Sequence, residues 1–471
     1  MSPMILLPEW AAFFSFLCLF LTSLYSKKAS GTAFANAALI LSLTVAAALW
    51  IPGLPQMGSA FGEQFISDPL AIFFKFFFAL SFVPVIQITR EYFCGRAERQ
   101  EEFYLLLFLI LTGLFFLVSA GDFIVMFIAL EIVTLSFYVL TAHPKTDAKS
   151  IEAALKYLVL GSIASAFFIF GAALVFSQTG SLNLTDTLVV YVFNPDNLLM
   201  NLGLALILSA ICFKIAAFPF QLWVPDVYEG APTPVTAALS VLSKSAGFAL
   251  LIRLLFYVVP SVRIQHPMFF VALTIMTLLY GNLGALRQTN IKRLFAYSSI
   301  GHAGYLLMAV TSGDFGLPAL LYYLIAYGVT NLTAFLVIVI IERHHGSAQL
   351  EAFRGLAVRS PFLAGIFFMA LLSLAGVPPL AGFFAKFGVL LAAIKAGLPG
   401  LALIGALFVA VSLYYYLGVV RTMYFEEPVS KSPVPVNADS RVFLILGGAA
   451  IVFTGLAMPV FMNWIQKIVR A

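Results

Sequence analysis

A chain of 471 residues that is 62% hydrophobic and only 10% charged, with a mean hydropathy of +1.02, is not a water-soluble domain; such domains carry about 25% charged residues. The sequence demands a hydrocarbon solvent and reads as an all-α integral membrane protein. The formal charge of +5 needs no nucleic-acid partner, because lysine and arginine collect in the inner loops of membrane proteins as orientation signals.

Apolar runs of about 20 residues, punctuated by glycine, proline and charge, follow one another along the chain. They predict fourteen spans, near residues 4–25, 33–51, 67–89, 102–119, 122–141, 151–176, 199–218, 233–258, 267–286, 292–311, 316–341, 361–394, 399–424 and 441–464. The first reads as a membrane helix and not as a removable signal, since no basic stretch precedes it and it has no small-residue cleavage site. The seventh stops at Phe218-Pro219-Phe220 and continues as the short amphipathic piece "QLWVPDVYEG"; the twelfth contains "AGVPPLAG" in its middle. Residues 52–66 form a Gly/Pro-rich loop and 426–440 the longest polar linker, with no separate soluble domain in 1–471.

Basic residues set the expected orientation. With both termini outside, the inside loops hold 16 of the 26 lysines and arginines: Lys27, Lys28, Arg90, Arg96, Arg99, Lys145, Lys149, Arg287, Lys292, Arg293, Arg343, Arg354, Arg359, Arg421, Lys431 and Arg441. The outside holds Arg263, Lys395, Lys467 and Arg470, and the other six fall within spans. This bias predicts both termini outside.

A charge at mid-membrane costs about 2.5–3.5 kcal/mol on insertion scales, so each one needs a reason. Arg253, near the outer end of its span, is expected to snorkel to the headgroups. Glu9 is expected at the interface, and nothing in the sequence decides the role of Lys75. Glu131, in "FIVMFIALEIVTLSF", lies about nine residues from either end of its span, too deep to snorkel. It is expected to meet Lys156 of the next helix. Lys214, Lys244 (in "LSVLSKSAGFALL") and Lys386 (in "GFFAKFGVLL") bring the total to one glutamate and four lysines near the membrane interior. Too few acids are present to pair every lysine. Buried amines of this kind are suited to accept and release protons.

Proline in a span frees a carbonyl and disfavours continuation of the helix. Irregular backbone at membrane depth must line water or be buried by protein, and discontinuous helices mark ion pathways in transporters. Lys214 stands at the C-terminal end of one half-helix and Lys386 near the N-terminal end of another, so their dipole environments are expected to be opposite. "FKIAAFPF" and "LSLAGVPPLAGF" align loosely on Ala217/Gly376 and Pro219/Pro378. Together with a weak likeness between helices 6 and 11, this predicts a five-helix unit, helices 4–8, repeated as 9–13. An odd helix number makes the copies inverted. The predicted organisation is residues 1–100 for helices 1–3, 101–258 and 267–424 for the two repeats, and 425–471 for a linker and helix 14.

At these residues a family becomes visible. "FPFQLWVPDVYEGAPTPVTAALSVLSKSAGFALL", "ALEIVTLSFYVL", "EAALKYLVLGSIASAF", "IKRLFAYSSIGHAGYLLM" and "LSLAGVPPLAGFFAKFGVL" resemble the N-type antiporter-like subunits of respiratory complex I, NADH:quinone oxidoreductase. The resemblance runs over about residues 60–425. It implies fourteen helices, two inverted five-helix repeats, broken helices 7 and 12, and proton translocation driven by electron transfer in other subunits. It places the family's relay residues on Glu131, Lys156, Lys214, Lys244 and Lys386, and puts His302 at a position where relatives often carry histidine. Histidine there is either a relay group or a hydrogen-bonded packing residue. Where relatives commonly have histidine after Pro-Phe, this chain has Gln221, which carries no proton at neutral pH. M-type relatives usually have glutamate where Lys386 stands, and L-type relatives continue into a long lateral helix, whereas this chain ends at Ala471.

The resemblance also implies a bacterial cytoplasmic membrane, neighbouring antiporter-like and small membrane subunits, and no redox site in this chain. The sequence shows no Gly-rich nucleotide loop, cysteine cluster or paired-histidine haem arrangement. NADH, FMN, iron–sulfur clusters and quinone belong, on this view, to partner subunits. A subunit of a multisubunit sodium/proton antiporter, or of a membrane-bound hydrogenase, stays open as an alternative.

Overall fold

The computed structural model describes residues 3–25, 31–49, 57–96, 100–428 and 432–470; Lys27, Lys28, Arg99 and Lys431 of the orientation count lie outside them. The first part of the chain forms α1 (Leu7–Tyr25), α2 (Gly31–Ala48), α3 (Pro69–Phe93), α4 (Glu101–Val118), α5 (Phe123–Thr141), α6 (Ala148–Thr179), α7 (Leu184–Phe193), α8 (Leu198–Ile215), α9 (Trp223–Gly230) and α10 (Thr233–Val258). Then follow α11 (Pro260–Gln265), α12 (Pro267–Ala285), α13 (Ile291–Thr311), α14 (Leu317–His345), α15 (Leu356–Arg359), α16 (Pro361–Ala375), α17 (Ala381–Lys395), α18 (Pro399–Phe425), α19 (Ala438–Leu456) and α20 (Met458–Arg470). Among the described residues, 11 helices are long and apolar enough to cross a membrane.

Three features were not foreseen. The 52–66 loop contains an antiparallel hairpin, Gly58–Ala60 paired with Phe65–Ser67. The ten-residue α7 is capped by Asn183, whose side chain accepts from the Thr185 N–H at 2.8 Å; it is too short to give a membrane-span signal. The last predicted span splits at Ala457, because Pro459 opens a second helix whose polar residues Asn463, Gln466 and Lys467 make it amphipathic.

Burial orders the helices. Every residue of the α10 window and 89% of that containing α14 are buried, whereas α6, α18 and α19 bury only 33%; α10 and α14 are the axis of the bundle. Small residues let neighbours approach. A Cβ on Gly281 of α12 would stand 2.2 Å from the Gly301 nitrogen of α13, and one on Gly247 of α10 only 2.7 Å from Ile215 beside Lys214. Helix α10 itself contains two π turns, Leu239–Ser243 and Arg253–Val258.

Both predicted breaks are present, and their backbone is satisfied locally. Helix α8 ends at Ala216, a non-glycine residue in the left-handed region (φ 61°). The Ala217 N–H returns to the Cys212 carbonyl at 2.9 Å, and Trp223 Nε1 caps the Phe213 carbonyl at 3.1 Å. Helix α16 ends in the same way at Gly376 (φ 91°), with the Val377 N–H on the Leu372 carbonyl at 3.0 Å. Such closures take up the orphan carbonyls of a helix end. The left-handed residues set Ala216 against Gly376, and hence Pro219 against Pro379. The sequence alignment was therefore one residue out, because it matched the wrong proline of the Pro378-Pro379 pair.

Candidate functional site

Lys214, Lys244 and Lys386 are all buried, at 8%, 3% and 3% exposure, and none forms an ion pair among the described residues. Lys214, in the last turn of α8, donates to the Thr134 hydroxyl of α5. Lys244, in α10, donates to the Ser299 carbonyl of α13 at 2.5 Å. Lys386, in α17, donates to the Ala375 carbonyl and the Ser412 hydroxyl, each at 3.0 Å. Each ammonium group thus has only neutral hydrogen-bond acceptors. Buried charges are ordinarily paired, so three amines held by neutral acceptors mark this region as the candidate site.

Lys386 corrects the expected dipole asymmetry. Its side chain folds back across the break, so the amine caps the C-terminal carbonyl of α16 and does not sit at the N-terminal end of α17. Gly376 leaves it room, since a Cβ there would stand 3.0 Å from Lys386 Cδ. Both break lysines therefore lie at the negative ends of helices.

The expected Glu131–Lys156 pair is not made. Glu131 accepts instead from the Ser165 hydroxyl. Antiparallel packing sets Ser165 opposite Glu131, and Lys156 lies nine residues earlier on α6, about 13 Å along the axis. Thr134, the hydroxyl partner of Lys214, stands one turn from Glu131 along the same face of α5. Lys156 is not buried. At 43% exposure it meets Glu152 and Asp226, each at 2.7 Å. Asp226 of α9 also takes Arg293 of α13 at 2.8 Å, and Glu229 takes Arg293 at 3.1 Å. Partial desolvation works to raise the Asp226 carboxyl, but hydrogen bonds from Lys156 and Arg293 outweigh it and hold the group below the ordinary aspartate range.

His302 lies on α13 between the Lys244 and Lys386 helices. Its Nδ1 is 2.7 Å from the Tyr323 hydroxyl and its Nε2 is 3.3 Å from the Tyr416 hydroxyl. Tyr416 is also bonded to Ser298. On the other flank, Asn331 of α14 joins Ser240, one turn before Lys244, at 2.7 Å and the Tyr327 hydroxyl at 3.3 Å; the Tyr327 ring lies 4.9 Å from that of His302. Sequence reasoning missed these neutral partners. A usable signal existed in "LYYYLG", three tyrosines inside one apolar helix. Gln221 is buried.

Two further charges depart from expectation. Arg253 does not snorkel: it forms a two-pronged pair with Asp68 at 2.9 and 3.1 Å and donates to the Val118 carbonyl at 2.9 Å. Glu9 is buried within the protein: it pairs with Lys75 at 2.6 Å, their side chains 1% and 0% exposed. Lys75 thereby acquires a role, joining α1 to α3.

A mostly helical membrane protein with two interrupted helices and a row of buried amines has features that mark ion pathways in transporters. Residues 120–412 match the family described as "NADH:quinone oxidoreductase/Mrp antiporter, TM". The chain belongs to this family of antiporter-like membrane subunits. It is 38% identical over 470 residues to NADH-quinone oxidoreductase subunit N of Chloroflexus aggregans, covering 98% of this chain and 95% of that protein. The subunit N of Coxiella burnetii is 35% identical, with coverage of 98% and 96%. Among solved structures, a chain of respiratory complex I from Thermus thermophilus superimposes with a TM-score of 0.82 at 32% identity, covering 97% of this chain and 98% of that one. A chain of an archaeal membrane-bound sulfane sulfur reductase gives 0.86 at 26% identity, covering 99% and 96%.

Proposed function

We propose that this chain is a proton-translocating subunit in the membrane arm of an NADH:quinone oxidoreductase, moving protons from inside to outside while other subunits reduce quinone. The observation that carries the reading is the row of three buried lysines bonded to neutral acceptors, with His302 hydrogen-bonded between the second and third. Glu131 stabilises the charged form of Lys214 from α5. Protons taken up from the inside reach Lys214 and Lys244, cross at mid-membrane by way of His302, and leave from Lys386. Lys156, tied to Asp226 at the chain's surface, serves the inner mouth of the path. NADH, FMN, iron–sulfur clusters and quinone are assigned to partner subunits.

The reading includes fourteen spans. To the 11 clear candidates it adds α2, α13 and the broken α16–α17. Helices 4–8 (residues 101–258) and 9–13 (267–424) then form inverted repeats, in keeping with the matched left-handed ends at Ala216 and Gly376. Residues 1–100 and 425–471 flank them, with both termini outside a bacterial cytoplasmic membrane.

The test is electron-transfer-driven proton pumping by the assembled complex. Lys214→Ala or Glu131→Ala lowers it by about 10²-fold, the scale on which a positioned proton-transfer group acts; wild-type pumping by either variant refutes the reading. A second reading, a subunit of an antiporter or of another membrane oxidoreductase, is favoured only by the breadth of the family and the sulfur-reductase likeness. Identification of the subunits that co-purify in mild detergent separates the two.

A further inference from the structure

The last leg of the path, from His302 to Lys386, is bridged by one side chain that sequence reasoning did not single out. Tyr416 of α18 is fully buried. Its hydroxyl lies 3.3 Å from His302 Nε2 and is also bonded to Ser298, one turn earlier on α13. Ser299, next to Ser298, supplies the carbonyl that takes Lys244. On its own helix, Tyr416 stands one turn beyond Ser412, whose hydroxyl is 3.0 Å from Lys386 Nζ, and residues four apart share a helix face. The Lys386 amine also lies 5.2 Å from the Tyr305 ring, one turn along α13 from His302. Tyr416 is thus the junction at which the Lys244 side and the Lys386 side of the bundle meet.

We propose that Tyr416 is the proton carrier between His302 and Lys386, with Ser298 as its resting partner. The inference rests on the proton-translocation reading above. In the transfer, the Nε2–H bond of the His302 imidazolium breaks and its proton joins a lone pair of the phenol oxygen. The phenol's original O–H bond breaks at the same time. That proton crosses the one-turn gap on one intervening water to the Ser412 hydroxyl, which turns from the Val409 carbonyl that it meets at 2.8 Å and gives its own proton to the neutral amine of Lys386. Phenol and serine each end with one proton, so neither ionises, and rotation of the two hydroxyls resets them. A phenol both donates and accepts, so the step needs no shift in its acidity. While the Tyr416 hydroxyl is turned to Ser298, the link to His302 is idle.

Tyr416→Phe keeps the ring and removes only the hydroxyl. Measured in inverted vesicles and normalised to assembled complex, pumping by Tyr416→Phe falls by about 10²-fold. Tyr415→Phe, which removes the neighbouring hydroxyl that lies 3.4 Å from Asn282 Oδ1, keeps its pumping. Wild-type pumping by Tyr416→Phe alongside loss in Lys214→Ala overturns this inference alone. Equal loss in Tyr415→Phe also overturns it, by pointing to packing. Normal pumping by Lys214→Ala removes the underlying reading, and this step with it.

Discussion

Glu9→Gln leaves the Lys75 ammonium alone in an apolar interior. The pair is 2.6 Å long with side chains 1% and 0% exposed, and the Phe65 ring lies 5.1 Å from the amine. Breaking a buried pair by removing one partner costs about 3–5 kcal/mol. Unfolding entropy of about 2.1 cal/mol/K per residue, over 471 residues, amounts to about 1 kcal/mol/K. The melting temperature of the detergent-solubilised protein should therefore fall by about 3–5 °C, followed by tryptophan fluorescence at neutral pH. The double variant Glu9→Leu/Lys75→Met removes both charges and should melt within about 1 °C of wild type or higher, because buried pairs replaced by apolar groups are often neutral or stabilising. Glu152→Gln, which removes an exposed partner of Lys156, should cost under about 1 kcal/mol. A single variant at Glu9 that melts like wild type, or a double variant as unstable as the single, would refute the argument.

Two other outcomes follow from the packing and the surface charges. Asp226, held below the ordinary aspartate range in the folded chain, contributes stability that is present above the unfolded aspartate value and lost as pH falls through the lower folded one. Asp226→Asn should accordingly lower the melting temperature at pH 7 and make no difference in acid. Gly281→Val places branched carbon where even a Cβ would lie 2.2 Å from the Gly301 backbone nitrogen; α12 and α13 must separate, and the variant should be missing from assembled complex by blue-native electrophoresis.

The deep charges were legible because hydropathy penalises them: Glu131, Lys214, Lys244 and Lys386 stand out from any apolar run, and proline exposed both helix breaks. Their partners were not legible. Thr134, Ser299, Ser412, Tyr323 and Tyr416 are neutral residues that a membrane helix tolerates anywhere, and they come from helices far apart in sequence. The Glu131–Lys156 expectation failed for the same reason. Adjacency in sequence says nothing of register, and the true register sets Ser165 against Glu131 and leaves Lys156 near the helix mouth. The partners of Arg253 and Glu9 were hidden because position along a span says nothing about a distant segment, here Asp68 on the loop before α3 and Lys75 within it.

The two π turns of α10 govern where its side chains point. Each wide turn takes up an extra residue, which advances the azimuth of everything downstream by about 100°, the angle of one helical step. The turn at Leu239–Ser243 immediately precedes Lys244, and the one at Arg253–Val258 begins at the arginine that grips Asp68. Deleting a single residue from the first would straighten the helix while swinging both cations off their acceptors together. The phase of one buried helix, set by the length of a turn and not by the identity of any polar group, thus keeps the central amine on Ser299.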